Sequence, residues 1–268
     1  MPVASEAISA YARATDDTAP LALEGRVASP VFAIVPVWAT LQEAARSVAP
    51  AQARPRVVHG DQDLLISAPI EAGMTLRSRA AAVGVHVKES GTVVVLKTET
   101  HDGAGRLLNE QYVTEFYRGV SGGTGGGERA PDHRISEQLA ESEPTASFTY
   151  PVAEDQTRRY AAASGDENAF HLDDEVARAA GLPGIVVHGL CLMAFAGRAA
   201  LESRGIANPA AVRRLAVRFS RPMRPGDALT TRIRGGDDDG AVVFDAVDGA
   251  GAVVLKDGLA ELVEDAAP

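Results

Sequence analysis

Between Tyr160 and Gly189 the chain reads YAAASGDENAFHLDDEVARAAGLPGIVVHG, which sets an acid, an imidazole and the start of an apolar run close together. Asp166 and His171 sit five residues apart with Asn168 between them. A carboxylate and an imidazole on one rigid loop can share a water, one removing a proton while the other delivers one, and imidazole titrates near neutrality. No nucleophile competes with this pair: Ser164 lacks a G-x-S-x-G setting, and Cys191 lies inside the apolar run.

Such a loop needs fixed ends. The spacing predicts a helix from about Glu154 to Ser164, and Gly165 stands where a left-handed C-terminal cap is expected, so Asp166 leaves the helix on a corner. Asp173 suits the N-cap of a short helix, Asp174 to Ala180, which Gly181 stops. After the turn Gly181-Leu182-Pro183-Gly184, the run LCLMAFAGRAAL reads as a buried central helix that starts at Gly189. The free N–H groups and positive dipole end of that helix suit a developing enolate oxygen.

Tyr160, Ser164-Gly165-Asp166, Asn168, His171, Asp173, Gly184 and His188-Gly189 resemble the hydratase 2 motif of MaoC-like (R)-specific enoyl-CoA hydratases and 3-hydroxyacyl-thioester dehydratases. The resemblance implies that Asp166 and His171 are the catalytic pair, that Asn168 supports them, and that the Gly189 N–H contributes to an oxyanion hole. It also implies a metal-free mechanism without a cofactor, coenzyme A or phosphopantetheine entering only as part of the substrate. One departure stands out: the family often has Pro and an aliphatic residue before the histidine, whereas this chain has Ala169-Phe170. Asp166, His171, Asp173 and His188 are metal-ligand types, but no H-x-x-x-H spacing is present, so no metal site is expected. His188 is assigned to the loop or helix entrance, on the substrate-binding side.

The whole chain has 268 residues, 46% of them hydrophobic, enough for one large domain or two small ones. A formal net charge of −10 argues against nucleic-acid binding. A single cysteine excludes an internal disulfide and fits a reducing cytoplasm. The N-terminal segment has no signal-peptide pattern, and no uncharged stretch reaches membrane-spanning length, so a cytoplasmic protein is expected.

The first half carries a short helix, Ile8 to Ala14, a helix in SPVFAIVPVWATLQEAAR (29–46) that Pro36 either kinks or delays, and four strands between Val57 and Arg118. A Gly-rich stretch, SGGTGGG, then opens a polar connection. Four more strands follow the central helix of the second half. Ser67-x-Pro69-x-x-x-Gly73 matches Ser220-x-Pro222-x-x-x-Gly226, and Asp102-Gly-Ala-Gly105 matches Asp248-Gly-Ala-Gly251, so one unit occurs twice. Aligned this way, His59-Gly60 is not the equivalent of His188-Gly189, and Pro30 takes the place of Gly189. The copies are an N-terminal unit, 1–120, without the catalytic motif, a flexible linker, 121–147, and a catalytic unit, 148–268. Helices and strand runs argue for an α+β fold, and the resemblance implies a double hotdog, each copy a curved antiparallel sheet around a helix.

Arg213, Arg214, Arg218, Arg221 and Arg224 concentrate positive charge on this acidic chain. Arg218, Arg221 and Arg224 are the candidates for the phosphates of coenzyme A or an acyl-carrier protein. The function expected is a hydro-lyase that interconverts a (3R)-3-hydroxyacyl thioester and its trans-2-enoyl thioester in acyl metabolism. Two alternatives stay open: a hotdog thioesterase, and a non-catalytic acyl-thioester-binding subunit of a dehydratase. An exposed sheet edge leaves room for a homodimer.

Overall fold

A computed structural model describes residues 1–236 and 240–263, so the last five residues of the expected second unit lie outside the described chain. The first copy runs α1 (Ser5–Ala14), α2 (Pro20–Leu23), a 3₁₀ segment (Pro30–Val37), α3 (Trp38–Val48), β1 (Val57–Ile66), β2 (Arg77–Lys88), β3 (Gly91–His101) and β4 (Leu107–Arg118). A connection with β5 (Gly126–Gly127) and α4 (Glu137–Glu141) leads to the second copy. That copy comprises β6 (Ala146–Pro151), α5 (Gln156–Ser164), α6 (Asp174–Ala179), α7 (Gly189–Ser203), β7 (Val212–Phe219), β8 (Ala228–Gly236), β9 (Ala241–Val247) and β10 (Val253–Leu262).

All ten strands join one antiparallel sheet in the order β5-β2-β3-β4-β1-β7-β10-β9-β8-β6. The two copies meet at β1 and β7, where Asp61 pairs with Arg218 and Leu65 with Arg214. The shift that carries Ser67 onto Ser220 carries Asp61 onto Arg214 and Leu65 onto Arg218. The seam therefore maps onto itself as a pseudo-twofold, and the expected α+β double hotdog is the observed architecture. A bidentate Arg214–Asp63 pair, 3.0 and 2.8 Å, crosses the seam with Asp63 1% exposed. That geometry offsets the cost of burying both charges.

The two inner helical segments differ, and the sheet faces under them differ to match. In the second copy α7 is a regular helix apolar on nearly every side, as a central helix must be. Its own backbone is satisfied, so the sheet beneath is mostly apolar, with Leu215, Phe244 and Leu255 fully buried, although Thr231 is buried there too. In the first copy Pro36 removes a donor and its ring blocks an α-turn, so an α-helix begins only at Trp38 and a 3₁₀ segment precedes it. The equivalent sheet positions hold Gln62, Thr98 and Asn109, and the neighbouring Gln111 donates to the Ala33 carbonyl at 2.8 Å. Gln62 in turn donates to Gln111 at 2.9 Å. Gln111 thus answers one backbone carbonyl of the broken segment, while Gln62 Oε1, Thr98 Oγ1 and Asn109 Oδ1 are buried without a hydrogen-bond partner among the described residues.

The connection departs from a wholly free linker. Gly126 and Gly127 pair with Val85 and Gly84 at the β2 edge, and a Cβ on Gly127 would come 2.2 Å from the Val83 carbonyl oxygen. The chain then crosses the outer face of the sheet, where His133 Nδ1 donates to Asp257 O at 2.7 Å and Arg214 donates to Asp132 O at 3.3 Å. Strand β6 begins inside the stretch read as linker. Its six residues are too few, and its neighbours too polar, for alternation to show; pairing with β8, not composition, makes it a strand. No helix among the described residues is long and apolar enough to cross a membrane.

Candidate active site

The loop from α5 to α7 is built largely as its residues dictate. Helix α5 ends at Ser164, and Gly165 takes φ 79° as a left-handed cap. Asp166 then forms an Asx turn: its Oδ1 accepts from the Asn168 backbone N–H at 3.2 Å and from the Asn168 side-chain amide at 2.6 Å. The Asn168 carbonyl accepts from the His171 N–H at 2.9 Å, which starts a 3₁₀ turn, Ala169–His171. Asp173 caps α6 through Glu175 N and Val176 N. Asp174 reaches across to accept from Ile185 N at 2.8 Å, tying the far end of the loop to its near end.

These constraints bring Asp166, His171 and His188 together. One nitrogen of each imidazole and one oxygen of Asp166 lie within 4.8 Å of one another. A water hydrogen-bonded to two groups spans roughly 4.6 Å between them, so Asp166 and His171 can hold one water jointly. His171 Nδ1 stands 2.7 Å from the Val186 carbonyl, which can only accept, so Nδ1 carries the proton and Nε2 offers its lone pair. His188 donates from Nε2 to the Asp166 carbonyl at 3.0 Å by the same logic.

Burial shapes the titration. Desolvation pushes Asp166 up to about 6 and depresses His171 to about 4. It also depresses His188 to about 3, with the neighbouring His171 ring adding to the effect. Above about pH 6 the site therefore holds an ionised Asp166 and two neutral imidazoles, a pair of bases with no fixed positive charge.

Among the described residues these three are the only group close enough to share a cation. The His171 and His188 rings, however, are stacked at 3.7 Å and 24°, so their lone pairs lie in separate, nearly parallel planes, a poor arrangement for two ligands of one ion. His188 is 1% exposed, its ring between His171 and Tyr160, so it backs the His171 imidazole instead of lining a path for substrate.

Gly189 opens α7 as expected. A Cβ there would come 2.8 Å from the Phe219 ring, which sits under the helix entrance. Since Phe219 faces α7, the strand's alternation turns Arg218 to the opposite face, where it lies 3.9 Å from Asp61. Arg218 is thus removed from the expected phosphate contacts. Arg214 is committed to Asp63, and Arg213 donates to the Ala210 carbonyl. Arg221 and Arg224 are exposed on the loop after β7, and the Arg224 guanidinium lies beside Gly184, the residue that lets the α5–α7 loop turn at φ 142°.

Two contributions escaped the sequence. Trp38, at the start of α3, stands against Gly165 at the corner that aims Asp166, 3.6 Å from where a Cβ would be. Phe170, read only as a departure from the family pattern, packs its ring 4.2 Å from His171.

The two halves match two family descriptions. Residues 25–119 match the MFE-2 hydratase 2 N-terminal domain, and residues 136–255 the MaoC like domain. A peroxisomal multifunctional enzyme type 2 from Drosophila melanogaster is 35% identical over 175 residues, covering 65% of this chain. The matched part is 29% of that protein, so the chain spans under a third of it. The 3-hydroxyacyl-thioester dehydratase Y of Mycobacterium tuberculosis is 35% identical over 217 residues, 77% of this chain and 73% of that one. Among solved structures, a MaoC-like dehydratase from Phytophthora capsici superposes with a TM-score of 0.85 at 25% identity, covering 99% of this chain and 94% of its own.

Proposed function

Because the chain belongs to the MaoC-like dehydratase family, we propose that it is a hydro-lyase interconverting a (3R)-3-hydroxyacyl thioester and the trans-2-enoyl thioester plus water. The observation that carries this reading is the convergence of Asp166 and His171, one carboxylate oxygen and one imidazole nitrogen lying within 4.8 Å, about one water's reach, while His171 Nδ1 is tied to the Val186 carbonyl. In hydration the water oxygen bonds to C3 as the C2–C3 π bond breaks. The pair takes a proton from the water and C2 receives one, so the pair ends unchanged. Asn168 fixes the Asp166 carboxylate, leaving its second oxygen for the water. The Gly189 N–H, in the first turn of α7, holds the thioester oxygen as it gains charge.

The substrate is an acyl-CoA or acyl-carrier-protein thioester whose phosphates meet Arg221 and Arg224, and no metal or further cofactor takes part. The N-terminal unit, 1–120, serves as a scaffold without its own catalytic pair. The cytoplasm suits its single, buried Cys191. The outer edge of β6, last in the sheet, is where a second copy would pair in a homodimer.

The test is the purified chain with crotonyl-CoA and a longer enoyl-CoA, followed by loss of enoyl absorbance with a thiol trap present. Absorbance lost without thiol release is the expected result. Released CoA would make the protein a thioesterase, and no turnover of either substrate would make it a binding subunit.

A further inference from the structure

We propose that Tyr11, in the copy without a catalytic pair, is a positioning residue for the His171 imidazole, acting through the ring series Tyr11, Tyr160, His188 and His171. The inference rests on the hydro-lyase reading for its kinetic consequence. The Tyr11 and Tyr160 rings lie 5.7 Å apart, edge to face, with their hydroxyls 3.3 Å apart. Tyr160 stands 4.8 Å from His188, and His188 3.7 Å from His171. All four are buried, from 0% exposed at Tyr11 to 7% at His171.

The physical reason is a shortage of polar restraints. The His171 ring has one hydrogen bond, from Nδ1 to Val186, and could pivot about it; Phe170 on one side and His188 on another stop that. The His188 ring is held no better, with one hydrogen bond to the Asp166 carbonyl and a buried Nδ1 that has no partner. Its tilt is therefore set by ring contacts, and those pass through Tyr160 to Tyr11.

Tyr11 itself cannot retreat. Phe32 stands edge-on to it at 5.5 Å, and α1 is fastened to α5 by Arg159 on Asp16 and by Gln156 on the Ala14 carbonyl. The charged or titratable groups around the imidazole, Asp166, His188 and Tyr160, all belong to the second copy. The ring series brings in the first copy at the imidazole, as Trp38 does at the Asp166 corner. Tyr11 touches no reacting atom, so its effect must appear as a change in the state of His171.

The experiment uses the full chain with Tyr11→Leu, Tyr11→Met and Tyr11→Phe, reading the His171 ring nitrogens by NMR against pH beside steady-state kinetics. In whichever of the Leu and Met variants folds, the His171 titration midpoint rises and kcat falls about tenfold, with KM within about twofold. Tyr11→Phe, which keeps the ring, restores both. A His171 titration unmoved in the ring-less variants overturns the proposal, whatever happens to kcat. A wild-type chain inactive on enoyl-CoA would instead count against the hydro-lyase reading and leave the NMR result to decide the role of Tyr11.

Discussion

At the mouth of each inner helical segment the chain leaves a helix through a left-handed residue and turns on an aspartate. Asp16 at φ 46° precedes Asp17 in the first copy, and Gly165 at φ 79° precedes Asp166 in the second. Both aspartates close an Asx turn, Asp17 on Ala19 N at 2.9 Å and Asp166 on Asn168 N at 3.2 Å. Both loops end on the same backbone tie, Ala28 N to Ile70 O and Val187 N to Met223 O, each 2.8 Å.

The difference lies in what faces the acid. Asp17 accepts the Ser29 hydroxyl at 2.5 Å, and Ser29 stands where the second copy has His188. The loop from Tyr11 to Pro30 is ten residues shorter than that from Tyr160 to Gly189, which leaves no turn to carry an imidazole. Pro30, in the place of Gly189, has no N–H to offer. A carboxylate held in the right turn is thus not yet a site. What the second copy adds is a longer loop that returns a neutral imidazole to the acid and a helix that starts with a free N–H, the two features the proposed reaction uses.

The contrast breaks if the aspartates prove interchangeable. Asp166→Asn or His171→Ala should cost at least ~100-fold in enoyl-CoA hydration, whereas Asp17→Asn should stay within about twofold in the same assay. Importing the first copy's residue as Gly189→Pro should cost about 100-fold in kcat through loss of the donor. Gly189→Ala is its control, because it adds the contact with Phe219 and keeps the N–H. Equal kcat in the Pro and Ala variants would remove the donor role.

Acidity sharpens the comparison. Because burial raises Asp166 to about 6 and the group must be ionised to act as a base, kcat/KM should fall tenfold per pH unit below about pH 6. An unburied carboxylate would put that limb near about pH 4. The same raised value means that ionised Asp166 counts against folding, the favourable contribution being lost as pH rises through about 6. Asp166→Asn should therefore raise Tm at neutral pH, by about 2–4 °C for each kcal/mol relieved. Ser29→Ala should do the reverse in the other copy, lowering stability by roughly 1–2 kcal/mol without changing kcat.

Local chemistry is why much of the site can be read from letters. Gly165, Asp173 and Gly181 are cap and stop residues whose effect is confined to one turn, so the loop's corners follow from composition. The repeat of Ser67 and Pro69 at Ser220 and Pro222 likewise showed that Pro30, not His59, answers to Gly189, and the backbone ties agree. Arg218 shows the limit. Alternation placed it opposite Phe219, but which face received α7, and so which arginines lay far from the loop, depended on packing across the whole strand. Strand β6 went unseen for the same reason, since its strand character comes from β8.

The sequence by itself determined the identity of the acid, the imidazole and the helix start, because spacing and caps act over a few residues and fix the order of events along the loop. Only the tertiary structure decided that the imidazole is neutral, that His188 stands behind it, and that Tyr11 of the other copy closes the series of rings. Those properties arise from burial and from contacts between residues up to 149 positions apart, and no local pattern carries them.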